Sequence, residues 1–200
     1  MIITLTLEKI NIQKDDYRCI FSAETLEKLF SSGYKRRRTI TYKLYINNRE
    51  LQLECPMLKH PQNNNIVLWP ASKLPYRTHP VYVHLYAVAL YLSSNMSMRS
   101  VAAKVKKHFG LASFSHSTLC RSLQKLKDIV PELSLIAENN SVDEPPPCTL
   151  VTRNNWDPVR QEQYGRLLYI LAPILNKSQT TDYSSLLNYR YFNRTMKFLL

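Results

Sequence analysis

Pro75–Lys127 reads PYRTHPVYVHLYAVALYLSSNMSMRSVAAKVKKHFGLASFSHSTLCRSLQKLK. Three helical patterns lie in it, separated by two short breaks. The first, about Val81 to Ser93, is apolar on nearly every side, which predicts a buried spine. Ser97 is a good N-cap for the second, where Met98, Val101, Ala102, Val105 and Phe109 keep helical spacing. Gly110 then stops it, as a left-handed residue past a helix end would. Ser115 caps the third, in which Leu119, Leu123, Leu126 and Val130 form the apolar stripe. Its other side carries His116, Ser117, Arg121, Gln124, Lys125 and Asp128, and Pro131 ends the pattern. One helix propping a second, polar helix outward is the grammar of a helix-turn-helix, although the turn Gly110–Phe114 is longer than the usual three or four residues.

Charge sharpens that reading. The 200-residue chain has a net charge of +12, and its acids are unevenly spread. Between Glu54 and Asp128 there is no Asp or Glu, while ten Lys and Arg fall there. A solvated face normally mixes signs, so a one-signed stretch points to a polyanionic partner. With 44% hydrophobic residues there is enough apolar material for a modest core. With only three Gly, the chain has neither a GxGxxG nor a GxxxxGK[ST] phosphate loop.

Outward from this stretch the expected class is α+β. A small N-terminal β-hairpin or ribbon-like module precedes the mainly helical helix-turn-helix domain and further C-terminal helices. Ile2–Leu7 is β-branched and predicts a strand. Ala23–Phe30 predicts a short helix with Ser22 as cap and Leu26, Leu29 and Phe30 inward. The basic run Lys35–Arg38 leads into a hairpin of Thr39–Ile46 and Glu50–Cys55 around Asn47-Asn48. Ile66–Trp69 predicts another strand. The boundaries expected are 1–74 for the β module, 75–131 for the helix-turn-helix, 132–150 for a linker and 151–200 for a C-terminal helical segment. That last segment holds a helix from about Pro158 to Leu175, kinked near Pro173, and another near Asp182–Leu199. Leu167, Leu168, Leu171 and Leu175 suit docking or dimerisation, and the aromatic residues around them suit packing more than stacking on single strands.

Four Cys, at 19, 55, 120 and 148, do not make an extracellular disulfide framework. Cys19 and Cys55 flank the hairpin, with His60 just beyond. A zinc ribbon needs CxxC at both places, because four ligands must converge tetrahedrally. Ser22 and Leu58 stand where the second cysteines would be, so Cys19, Cys55 and His60 are vestigial and no metal or other cofactor is expected. The order of this hairpin, the segment Leu68-Trp69-Pro70 through Leu74-Pro75-Tyr76-Arg77, and Ser97–Leu126 with Ser115-His116-Ser117-Thr118, resembles transposon-associated proteins of low-GC Gram-positive bacteria. In those, a zinc ribbon precedes a transposase-like helix-turn-helix. The resemblance covers about Tyr17 to Leu126.

The expectation is therefore sequence-specific binding of double-stranded DNA, in regulation or as an accessory to transposition. His116, Ser117, Thr118, Arg121, Gln124 and Lys125 are the candidates for base edges, since Arg can bridge guanine O6 and N7 and Gln can pair with adenine. Arg99, Lys104, Lys106, Lys107 and Lys127 are the candidates for phosphates, which position without specifying. The alternatives are a protein-interaction adaptor of a mobile element or a decayed, non-catalytic transposase fragment. A homodimer or a transposase is the protein partner this reading admits. No catalytic residues are expected. The acids after Lys127 fall in loop, linker or helix patterns rather than on strands, and no G-x-S-x-G elbow exists. The start MIITLTLEKI has no signal-peptide pattern and no apolar run is long enough to span a bilayer, so a cytoplasmic setting without membrane is expected.

Overall fold

The computed structural model describes residues 2–7, 11–12, 18–21, 23–46, 49–62, 64–138, 148–175 and 180–200. The class is α+β: strands come first and helices follow. The chain divides into two compact units, 1–80 and 81–200.

The first unit is built on one sheet. Its strands are β1 (Ile2–Thr6), β2 (Asn11–Ile12), β3 (Arg18–Ile20), β4 (Lys35–Ile46), β5 (Arg49–Lys59) and β6 (Ile66–Pro70), with one helix, α1 (Ala23–Ser31), before β4. β5 is the centre. β4 pairs antiparallel along one edge, while β3 and β6 share the other, opposite Gln52–Leu53 and Met57–Leu58 respectively. β1 then runs parallel to β6, with Ile2 opposite Ile66. Pro56, which has no N–H to give a ladder, falls in the gap between β3 and β6. Leu51, Leu53, Cys55 and Met57 alternate into the core, and all five residues of β6 are buried.

Two expectations need correcting here. Lys35–Arg38 does not merely lead into the hairpin; it is the first third of β4, because β5 continues to Lys59 and pairs back to Lys35. Ladder hydrogen bonds override the weak strand preference of the cations, and a register shift between Arg36 and Arg38 absorbs the misfit. Phe30 does not turn inward: α1 buries none of its residues and Phe30 is 41% exposed. Ser22 and Asn47-Asn48, the expected cap and turn, lie outside the described residues. Past α1 the chain closes on Gly33 at φ +89°, with Tyr34 N–H donating to Leu29 O at 3.1 Å and Gly33 N–H to Phe30 O at 3.0 Å. A Cβ on Gly33 would stand 2.9 Å from His60 Nε2, a second reason for glycine there.

The second unit contains α2 (Val81–Leu92), α3 (Met98–His108), α4 (His116–Asp128), α5 (Val130–Glu138), α6 (Pro158–Leu171) with a 3₁₀ turn at Ala172–Leu175, and α7 (Thr180–Thr195). α2 is its spine as expected: α3, α4, α6 and α7 all pack on it, and nine of its residues are buried. α5 is a correction. Pro131 does not end helical structure but sits in the first turn of this next helix, where a missing N–H costs nothing. Residues 132–138 are thus helix rather than linker; 139–147 lie outside the described residues.

The leucine stripe docks inside its own unit. Leu167, Leu168 and Leu171 are buried within their own unit, because α6 packs on α2, α4 and α5. Tyr164, Tyr191 and Phe192 are buried alongside them, and Tyr183 donates its hydroxyl to Ile170 O at 2.8 Å. Among the described residues no helix is long and apolar enough to cross a membrane.

Candidate nucleic-acid interface

The site is assembled by caps. Ser97 Oγ accepts from Ser100 N–H at 3.1 Å and opens α3; Ser115 Oγ accepts from Thr118 N–H at 3.1 Å and opens α4. α3 closes at Gly110, φ +56°, with Leu111 N–H donating to Lys106 O at 2.9 Å. The turn between the helices is long because it carries core. Leu111 and Phe114 are both buried, and Phe114 meets the His84 ring of α2 at 5.8 Å.

Beneath α4 lies a polar lock. Ser122 donates its hydroxyl to Thr118 O at 3.0 Å, which leaves the Oγ lone pair to accept from His84 Nδ1–H at 3.1 Å. A buried polar pair needs such partners, and meeting them here ties α4 to the spine in one rotational setting. Leu119, Leu123 and Leu126 fill the rest of that face.

The opposite face is solvent. Ser117, Arg121, Gln124 and Lys125 are exposed, and at about 100° per residue they share one arc of roughly 100°. His116 is exposed in the first turn but off that arc. Thr118 is half-buried, and its hydroxyl is already bonded to Ser115 Oγ at 3.0 Å. On α3, Arg99, Lys104, Lys106 and Lys107 are exposed around the side opposite Val101, Ala102 and Val105. Among the described residues none of these four, nor Arg121, has a carboxylate within ion-pairing distance. Lys127 stands apart: it is half-buried, with Nζ 3.7 Å from Asp128 Oδ1. The eleven candidates thus separate into an α4 arc, an α3 flank and three residues, His116, Thr118 and Lys127, that belong to neither.

Sequence reasoning missed one residue that shapes this site. Arg153, in the segment leading to α6, donates from one guanidinium nitrogen towards Tyr91 O at 3.3 Å, Ser94 O at 3.1 Å and Met96 O at 2.8 Å. It lies 4.2 Å over the Tyr91 ring, and Val151 N–H donates to Leu92 O at 2.9 Å beside it. One cation therefore gathers the carbonyls at the end of α2 and along the turn that delivers Ser97. Nothing in local pattern marks such a long-range partner. Arg153→Ala should lower the stability of the 81–200 unit by about 2–3 kcal/mol, read from denaturant midpoints, since it strands several carbonyls at once.

Cys55 and His60 each sit in a setting of their own. Cys55 is fully buried on β5, and burial pushes its thiol up to about 12 despite the Lys73 ammonium nearby. His60 instead packs on the Tyr34 ring at 5.0 Å and accepts Gln62 N–H on Nδ1 at 3.1 Å. The side chain of Cys19 lies outside the described residues. Among the described residues no group of three or more His, Cys, Asp or Glu is placed to hold a metal ion.

Neither a protein-family model, nor a curated protein, nor a solved structure matches this chain.

Proposed function

We propose that this chain binds double-stranded DNA with sequence preference, α4 entering the major groove and α3 resting on the backbone, as a regulator or accessory factor of a mobile element and without catalysis of its own. The observation that carries this reading is the α4 arc of Ser117, Arg121, Gln124 and Lys125, exposed on a helix whose other face is locked to the spine. A reading head must keep its rotational setting, because hydrogen bonds to base edges tolerate little misplacement. The α3 cations flank that helix with no carboxylate among the described residues within ion-pairing distance, which suits phosphates.

A preferred site selected from a random duplex pool provides the probe. Arg121→Ala and Gln124→Ala should each weaken that site by about 1–3 kcal/mol while leaving random duplex nearly unchanged, so that sequence preference flattens. Equal losses on selected and random duplex would remove α4 from the groove. The adaptor alternative looks to Leu167 and Leu171 for its effect, and the burial of both within their own unit favours the DNA reading over it.

A further inference from the structure

The 1–80 unit presents one residue in an unusual manner. Tyr76 has a left-handed backbone, φ +56°, and its side chain is fully exposed at 104%. An aromatic residue adopts that conformation only where its surroundings over-determine it. Here the determinant is Lys73, whose ammonium is buried and donates to Leu74 O at 2.9 Å and to Arg77 O, on either side of the tip. The base of the loop is closed by Lys73 opposite Pro80, by the Trp69 indole N–H donating to Lys73 O at 2.6 Å, and by the fully buried Leu74. A buried cation is thus committed to holding an apolar ring out in water. Packing gives no reason for that arrangement; a ligand would.

The loop lies beside β4. Tyr45 N–H donates to Thr78 O at 2.7 Å, and Tyr42 meets the Trp69 ring edge-on at 4.5 Å. Burial pushes the Tyr42 hydroxyl up, with the Tyr76 hydroxyl acting the same way and the Arg38 guanidinium opposing. Arg38 lies about 13 Å along β4 from Tyr42, and Arg37, Arg36 and Lys35 follow it to about 23 Å, all exposed. Among the described residues none of these four has a carboxylate within ion-pairing distance. Cations on an edge strand deter strand pairing, which accounts for their being there. It does not account for a rigid, exposed ring beside them.

We propose that the 1–80 unit carries a second, sequence-tolerant nucleic-acid site, in which Tyr76 stacks on an unpaired base of a single strand and Arg36, Arg37 and Arg38 hold the adjoining phosphates. Single-strand binders combine these two elements, because every base has a π-face and every nucleotide a phosphate. A duplex hides its base faces, so a stacking ring selects the single strand.

The test uses the full chain and a labelled oligo-dT of about 20 nucleotides, longer than the roughly 4–16 that a small fold occupies. Tyr76→Ala should lower its affinity about 10-fold, Tyr76→Trp should retain it, and duplex binding should be unaffected by either. The triple substitution Arg36→Ala, Arg37→Ala, Arg38→Ala should reduce the log–log salt slope by about 2, near 0.7 per phosphate on a single strand. All the altered side chains are exposed, and an unchanged melting curve confirms the fold. The proposal is overturned if oligo-dT is not bound at low salt, or if Tyr76→Ala binds it as well as the parent. It is also overturned if Arg121→Ala abolishes oligo-dT binding, or if the arginines instead govern binding to phosphatidylserine vesicles. An unaltered chain that binds duplex but not oligo-dT removes this site alone; one that binds oligo-dT but not duplex removes the α4 reading alone.

Discussion

Leu167→Asp is expected to eliminate cooperative unfolding of the 81–200 unit and duplex binding together. Leu167 is fully buried on α6, which packs on α2, α4 and α5. Truncating such a leucine costs about 2–5 kcal/mol by itself. Placing a carboxylate there without a partner adds several more, and a domain has only about 5–15 kcal/mol to lose. Leu167→Met, which conserves volume, should cost less than about 1.5 kcal/mol and leave binding intact. Circular-dichroism melting alongside a gel-shift titration reads both. A Leu167→Asp protein that melts normally and still binds DNA would mean that α6 is not part of this core. Its leucines would then be available to a partner, as the adaptor alternative requires.

That outcome bears on where the sequence is legible. The α2–α4 stretch could be read because its signals are local: Ser97 and Ser115 bond to backbone three residues on, and Gly110 alone has the freedom to end α3. The apolar stripe of α6 was visible as well, but a stripe does not say what covers it, and here the chain covers its own. Pro131 misleads for a related reason. A proline that ends one helix and a proline in the first turn of the next look alike until the backbone turns at Ile129, whose N–H donates to Leu126 O at 3.2 Å. The basic start of β4 was obscured because strand pairing is non-local, so Lys35 is extended on account of Lys59. Arg153 and Lys73 were out of reach altogether: each acts through carbonyls, which every residue has and no pattern marks.

Raising salt from about 50 to about 200 mM should weaken duplex binding about 150-fold. The figure follows from the cations available to phosphates. Arg99, Lys104, Lys106 and Lys107 are exposed on α3, whereas Lys127 is half-buried beside Asp128 and is left out. Four contacts give a log–log slope of about −3.6, near 0.9 per phosphate on duplex DNA, and a fourfold rise in salt then acts to that power. Lys106→Ala with Lys107→Ala should halve the slope, so the same salt change costs only about 12-fold. Both lysines also sit at the C-terminal end of α3, where cations favour the helix dipole by about 0.3–1 kcal/mol each, so binding must be compared below the melting point of the variant. Gln124→Ala completes the separation. It removes no charge, so it should reduce preference for the selected site and leave the slope unchanged. Were Gln124→Ala to alter the slope, or the double lysine variant to leave it near −3.6, α3 and α4 would not hold the division between backbone and bases on which their placement depends.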